Sequence, residues 1–277
     1  MALFNQYSFP AVYVRSLCWR GDELVDWVGG GRAFARDGNG LVLKDWQVLR
    51  EINRSYYCAN AYEYPVALFH GPDGRLLLAH CPQSYDRLDL EDAETGRPLT
   101  ASVIREPADY FHSRLVASPG GKRLLSAGWI WQPYDILAGF EVARALADPR
   151  ELDRRGTLPI FSRDGFIVDE GSACWLDDDR IVVAAADHEE EDLPEEAHAS
   201  EGRPGLRARG LVVYDLAAGK FLQSHPLTEP LGTILPIGRH HVLSLYRHPK
   251  LIELATGQVI HAWPELPSGF QKSARQG

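Results

Sequence analysis

The chain has 277 residues, of which 45% are hydrophobic and 24% charged, and its formal net charge is −9. This is the composition of an ordinary globular protein, long enough to bury a core without a metal or a disulfide. The acidic balance argues against nucleic acid and anionic membranes as partners, since both select basic surfaces. It fits a protein partner with a basic surface.

The start of the sequence indicates a cytoplasmic protein. Its first 16 residues lack a basic start followed by an apolar stretch, so they do not predict a signal peptide. No run of about 18 apolar residues predicts a membrane span. The four cysteines show neither a zinc-site spacing nor a disulfide framework. We therefore expect no cofactor, no metal and no disulfide.

The strongest pattern along the chain is an apolar run, a tight turn and a second apolar run. Glycine or aspartate stands at the turns, where a positive φ or an Asx-type turn is needed, so each piece predicts a β-hairpin. The pattern occurs five times, as SLCWRGDELVDWV from Ser16, ALFHGPDGRLLLAH from Ala67, LVASPGGKRLLSAGW from Leu115, ACWLDDDRIVVAAA from Ala173 and TILPIGRHHVLSLY from Thr233.

A second predicted hairpin accompanies each of these. It reads LDLEDAETGRPLT from Leu88, VVYDLAAGKFLQS from Val212 and LIELATGQVIHAW from Leu251, with weaker versions ARDGNGLVL from Ala35 and DILAGFEVA from Asp135. Two hairpins make one four-stranded antiparallel blade, and several blades must stack because one blade cannot bury both faces of its sheet. A single helix is predicted over Phe140–Leu152, cut short by Pro149.

The segments VYDLAAGK from Val213 and IELATGQ from Ile252 resemble the strand-turn-strand signature of WD40-like and quinoprotein-like β-propeller repeats. The resemblance covers five units but lacks the Gly-His and most of the Trp-Asp landmarks of WD40 repeats. It implies an all-β fold, a small β-propeller of four-stranded antiparallel blades, in one domain over 1–277. Five blades are visible, and the long connections Leu41–Tyr64 and Ala147–Gly171 leave room for a sixth or seventh. The competing architecture is a β-sandwich.

Candidate binding residues lie on the connections between the second and third strands of each predicted blade, because rigid scaffolds present binding residues on such loops. These connections are Gly29–Arg32, His80–Tyr85, Trp129–Tyr134, Asp187–Arg209 and Tyr246–Pro249. They are rich in aromatic residues and arginine, the residue types that dominate binding energy at protein interfaces. The predicted partner-binding residues are Trp129, Trp131, Tyr134, Tyr85, Arg32, Tyr246 and Arg247.

An acidic insertion over 187–209 is the most unusual segment. Its carboxylates repel one another, and its prolines break any helix. It is therefore either a solvated surface insertion or a segment that attracts a basic partner electrostatically and so speeds association. A calcium site is disfavoured because the Asp-x-Asp-x-Asp-Gly spacing is absent. The residues assigned to partner binding here are Glu189, Glu190, Glu191, Asp192, Glu195 and Glu196.

No catalytic motif stands out in the sequence. Neither GxSxG nor HExxH occurs, and the triple glycine from Gly29 is not a phosphate-binding loop. The sequence favours a non-enzymatic protein-binding propeller, in particular a bacterial immunity or antitoxin-like inhibitor that occludes a cognate toxin. Two alternatives stay open. One is a propeller hydrolase or lactonase-like enzyme with an axial site, and the other is a scaffold subunit of a larger complex.

Overall fold

The computed structural model describes residues 65–130, 134–154, 172–185 and 210–266, and the backbone of five strands within 17–52. Of the strand residues before 53, only Ile52 has a described side chain, and the side chains of residues 129, 134 and 135 are likewise outside the description. The chain divides into two compact units, here called unit 1 (Met1–Leu158) and unit 2 (Pro159–Gly277). A single domain over 1–277 stays a prediction.

Among the residues that the structure describes, unit 1 contains three antiparallel sheets whose strands follow one another in chain order. The first has five strands, β1 (Leu17–Arg20), β2 (Glu23–Val28), β3 (Gly31–Arg36), β4 (Asn39–Lys44) and β5 (Gln47–Ile52). The second has three, β6 (Val66–His70), β7 (Leu76–His80) and β8 (Asp89–Asp92). The third also has three, β9 (Phe111–Ala117), β10 (Arg123–Ile130) and β11 (Tyr134–Glu141).

The described part of unit 2 contains two four-stranded antiparallel sheets. One consists of β12 (Ala173–Trp175), β13 (Arg180–Ala184), β14 (Gly210–Asp215) and β15 (Lys220–Pro226). The other consists of β16 (Ile234–Ile237), β17 (His241–Ser244), β18 (Lys250–Glu253) and β19 (Val259–Ala262). Each sheet is the four-stranded meander of a propeller blade. No Greek-key crossing occurs among the described strands, which removes the basis for the β-sandwich alternative.

The prediction of an all-β fold built from antiparallel blades is confirmed. All five predicted first hairpins form, as β1–β2, β6–β7, β9–β10, β12–β13 and β16–β17. The turn glycines act as the sequence predicted, since Gly74 and Gly121 have φ of 80° and 68°. At Gly121 there is a second reason for glycine, because a Cβ atom there would lie 1.7 Å from the His70 carbonyl oxygen of β6.

The second hairpins are confirmed for three of five segments, those starting at Ala35, Val212 and Leu251. The segment from Leu88 forms only β8 and a bridge between Glu91 and Pro98. The hairpin predicted from Asp135 is wrong. Its Ala138 and Gly139 lie inside β11, opposite Ser126 and Leu125, so this piece is one continuous strand.

The helix predicted over Phe140–Leu152 is shorter than expected. The α-helix α1 spans Val142–Ala147, and a 3-10 turn follows over Pro149–Leu152. Phe140 instead ends the apolar part of β11 and is buried in the core of unit 1. Pro149 begins the 3-10 turn, because a proline has no N–H and cannot continue the α-helix that precedes it.

Each unit has its own hydrophobic core. In unit 1, β7 and β9 are buried along almost their whole length, so both faces of these strands are covered. In unit 2 the core lies between the two sheets and includes the fully buried Val182, Ile234 and Ile252. The outer strand β15 alternates between exposed and half-buried residues, as the edge strand of a blade should.

Candidate functional site

Three of the predicted binding residues lie on connections between the second and third strands of their sheets. Tyr85, Tyr246 and Arg247 are described in full. Trp129, Tyr134 and Arg32 are described only as backbone, and each belongs to a strand rather than to a loop. Trp131 and the carboxylates of the acidic insertion (Glu189, Glu190, Glu191, Asp192, Glu195 and Glu196) lie outside the described residues.

In unit 1 the connection Cys81–Leu88, here called the Tyr85 loop, joins β7 to β8. The ring of Tyr85 stacks on Phe111 at the start of β9, with centroids 3.9 Å apart and planes 16° apart. Its hydroxyl donates a hydrogen bond of 2.8 Å to the Asp109 carboxylate. The side chain is therefore half-buried and held in one orientation by a stacking contact and a polar contact at opposite ends of the ring.

The buried side chain of His112 bonds to the backbone of the Tyr85 loop. Its Nδ1 lies 2.8 Å from the Ser126 hydroxyl, and its ring also bonds to the backbone carbonyl of Asp86. Because a carbonyl only accepts, the imidazole is the donor in its bond to Asp86. Burial lowers the pKa of His112 to about 3, with a smaller contribution from the Arg105 charge acting in the same direction. His112 is thus a neutral structural residue at neutral pH.

A buried arginine fixes the end of the same loop. The Arg105 side chain is fully buried, and its Nε donates to Asp153 over 2.6 Å. Its Nη1 and Nη2 donate to the Asp89 carboxylate at 3.3 Å and to the Leu88 carbonyl at 3.2 Å. Asp89 also accepts from the Thr100 hydroxyl. Each buried carboxylate is thereby neutralised and hydrogen-bonded, so this cluster ties the base of the loop to the 3-10 turn region.

The strand register brings two more predicted residues to this end of unit 1. Trp129 lies directly opposite Phe111 in the β9–β10 ladder, and Tyr134 pairs with Ile130 in the β10–β11 ladder. The backbones of Trp129 and Tyr134 thus lie near the ends of β10 and β11 that meet at their connection, and Trp129 pairs with Phe111, on which Tyr85 stacks. Gly128 permits the close approach of β10 to β9 at this point, since a Cβ atom there would lie 2.0 Å from the Phe111 carbonyl oxygen.

In unit 2 the corresponding connection joins β17 to β18 and contains Tyr246 and Arg247. The Arg247 guanidinium lies over the Tyr246 ring, with its Cζ 5.1 Å from the centroid. The Lys250 ammonium lies 5.5 Å from the same centroid and pairs with Glu229. Backbone hydrogen bonds hold both ends of this connection, because the Leu245 N–H donates to the Thr233 carbonyl and the Trp263 N–H donates to the Pro249 carbonyl.

Another buried ionisable pair that sequence reasoning missed joins β7 and β8. His80 at the end of β7 and Glu91 in β8 are almost fully buried, with Nε2 and Oε1 3.0 Å apart. The two residues lie on neighbouring strands, and only the β7–β8 register could have revealed them. In the described part of the chain, no group of three His, Cys, Asp or Glu side chains is placed to hold a metal ion.

No protein-family model matches the chain, and no curated protein sequence matches it. Among solved structures, BamB from Moraxella catarrhalis is similar with a TM-score of 0.46 and 11% identity, covering 90% of this chain and 64% of BamB. Hydrazine synthase from Kuenenia stuttgartiensis has a TM-score of 0.49 and 13% identity, covering 82% of this chain and 62% of that chain.

A third similar structure is the dihydro-heme d1 dehydrogenase NirN, solved in complex with DHE, with a TM-score of 0.48 and 16% identity. The match covers 82% of this chain and 42% of NirN. The chain therefore spans less than two thirds of each of these three proteins. All three are β-propellers, but every TM-score is below 0.5. The antiparallel blades of this chain are therefore supported by the order of its own strands. Among the described residues, no helix is both long and apolar enough to cross a membrane.

Proposed function

We propose that this chain is a protein-binding β-protein and that unit 1 contacts its partner through the Tyr85 loop. The observation behind the proposal is the fixed orientation of Tyr85, which stacks on Phe111 and donates to Asp109 while remaining only half-buried. Tyrosine is among the residue types that dominate binding energy at interfaces. An aromatic side chain that is already ordered loses little conformational entropy on binding, so it contributes more to affinity.

The bonds beneath the loop support the same proposal. His112 bonds to the Asp86 carbonyl, and Arg105 bonds to the Leu88 carbonyl, so buried side chains hold the part of the loop that follows Tyr85. A loop fixed in this way presents the same surface before and after binding. Rigid presentation of an aromatic residue is typical of tight protein recognition.

The experiment replaces Tyr85 with a photo-crosslinking phenylalanine analogue and irradiates cells that express the variant. We expect one protein to crosslink at position 85. The matched control carries the same analogue at Pro72, an exposed residue in the β6–β7 turn at the opposite end of the same sheet. Absence of a specific crosslink at position 85, or the same crosslink from both positions, would show that the Tyr85 loop is not the binding surface.

The finer form of the proposal is an immunity or antitoxin-like inhibitor that acts in the cytoplasm and covers a toxin. Its support is the net charge of −9 together with the carboxylates of the acidic insertion, which would attract a basic partner. Neutralising Glu189, Glu190, Glu191, Asp192, Glu195 and Glu196 should slow association several-fold at low salt and leave dissociation unchanged. Stopped-flow kinetics with the crosslinked partner, once purified, measures both rates. An unchanged association rate would remove the steering role.

A further inference from the structure

Arg247 has an unusual backbone conformation. Its φ is +62°, and it is the only non-glycine residue with positive φ in the part of the chain that the structure describes. Glycine occupies the other described positive-φ positions, which are Gly74, Gly96, Gly121, Gly219, Gly232, Gly238 and Gly257. The chain therefore places an arginine where its own turns otherwise use glycine, and a residue with a Cβ is strained there.

The hydrogen bonding shows what kind of turn this is. The His248 N–H donates to the Tyr246 carbonyl over 2.8 Å, which closes a three-residue turn with Arg247 at its centre. An i to i+2 hydrogen bond with positive φ at the central residue defines the rarer and more strained of the two γ-turns. Such strain persists only where the surrounding structure imposes it, and it is concentrated at functional sites.

The side chain of Arg247 is presented to solvent as a cation. It is exposed, it lies over the Tyr246 ring, and no carboxylate among the described residues pairs with it. The second cation near that ring, Lys250, is buried and already neutralised by Glu229. Tyr246 therefore holds on its ring face a guanidinium whose charge no described carboxylate neutralises. The planar N–H donors of a guanidinium match the geometry of a carboxylate.

We infer that Arg247 is the recognition residue for a carboxylate of a protein partner. The inference rests on the proposed protein-binding function and adds the partner's chemistry, which is an acidic side chain or a terminal carboxylate. A single carboxylate set in an otherwise basic partner surface is compatible with the acidic insertion of this chain. When each partner carries charges of both signs, pairing of the opposite charges fixes how the two surfaces align.

The binding experiment follows the arginine Nε–H resonances of the whole protein by NMR during titration with acetyl-triglutamate amide. We expect a saturable shift of the Arg247 resonance, with a dissociation constant on the order of 1 mM for so small a ligand, and loss of that shift in Arg247→Asn. Arg239 is the matched control, since it is an exposed arginine in the β16–β17 turn at the other end of the same sheet. No saturable shift, an equal shift at Arg239, or an equal shift with acetyl-trilysine amide overturns the inference.

A second measurement separates recognition from packing. Glycine and asparagine both tolerate positive φ, so Arg247→Gly and Arg247→Asn should melt at or above the temperature of the wild type while failing to bind triglutamate. A melting temperature lowered by several degrees in both variants would show that Arg247 is kept for stability, and would overturn the inference. These outcomes do not depend on the crosslink at Tyr85, so the two proposals fail independently.

Discussion

Acidification should destabilise unit 1 through His112. The folded pKa of this histidine is about 3, below its ordinary value of 6.5, because burial disfavours the charged ring. The unfolded chain therefore binds a proton that the folded chain does not, and stability is lost as the pH falls from 6.5 towards 3. Each pH unit in that range is worth about 1.36 kcal/mol. At pH 5 the loss relative to neutral pH is about 2 kcal/mol from this one residue.

Urea unfolding of the wild type and of His112→Asn at pH 7.5 and pH 5, followed by tryptophan fluorescence, isolates that contribution. Asparagine keeps an acceptor for the Ser126 hydroxyl but does not titrate. The wild type should lose about 2 kcal/mol more than the variant between the two pH values, whatever the variant's stability at pH 7.5. Equal losses in both proteins would refute the assignment of His112 as a buried neutral residue under the Tyr85 loop.

Two further predictions concern stability and use matched controls. Arg105→Met leaves Asp153 without its buried cation and Asp89 with Arg87 alone, and it should cost about 3–5 kcal/mol in urea unfolding. Arg154→Met, whose side chain is 62% exposed, should cost less than about 1 kcal/mol. Similar costs would contradict the buried cluster. Gly121→Ala should cost about 3 kcal/mol or more, because it adds a clash with β6 to the strain of positive φ. Gly74→Ala meets open space and should cost only about 1–2 kcal/mol in the same assay, so equal costs would show that the clash relaxes away.

The local turns of this fold could be predicted from the sequence, because each turn is specified by residues within a few positions. All five first hairpins have their glycine or aspartate at the turn, and the β6–β7 and β9–β10 turns close with Gly74 and Gly121 as expected. The failure at Asp135 has a non-local cause. Ala-Gly resembles a turn, but Gly139 is paired with Leu125 in the middle of a long ladder. Pairing with β10 overrode the local preference.

The candidate site could be predicted only in part. Tyr85 was a candidate because aromatic residues on connections between second and third strands are candidates by position alone, and its role in binding stays a prediction. Its partner Asp109 is 24 residues away, and Arg105 reaches Asp153 across 48 residues, so neither contact has a signal in the spacing of the sequence. The strain at Arg247 was equally invisible, because nothing in the residue types Tyr-Arg-His specifies a γ-turn.

Hydrogen exchange on the complex with the crosslinked partner tests the central claim most directly. If the Tyr85 loop is the binding surface of unit 1, backbone amides of residues 83–87 should exchange more slowly in the complex than in the free protein. Amides of the β6–β7 turn, residues 71–74, should exchange at the same rate in both states. Protection of the turn with no change in the loop would contradict the claim and move the interface to the opposite end of the sheet.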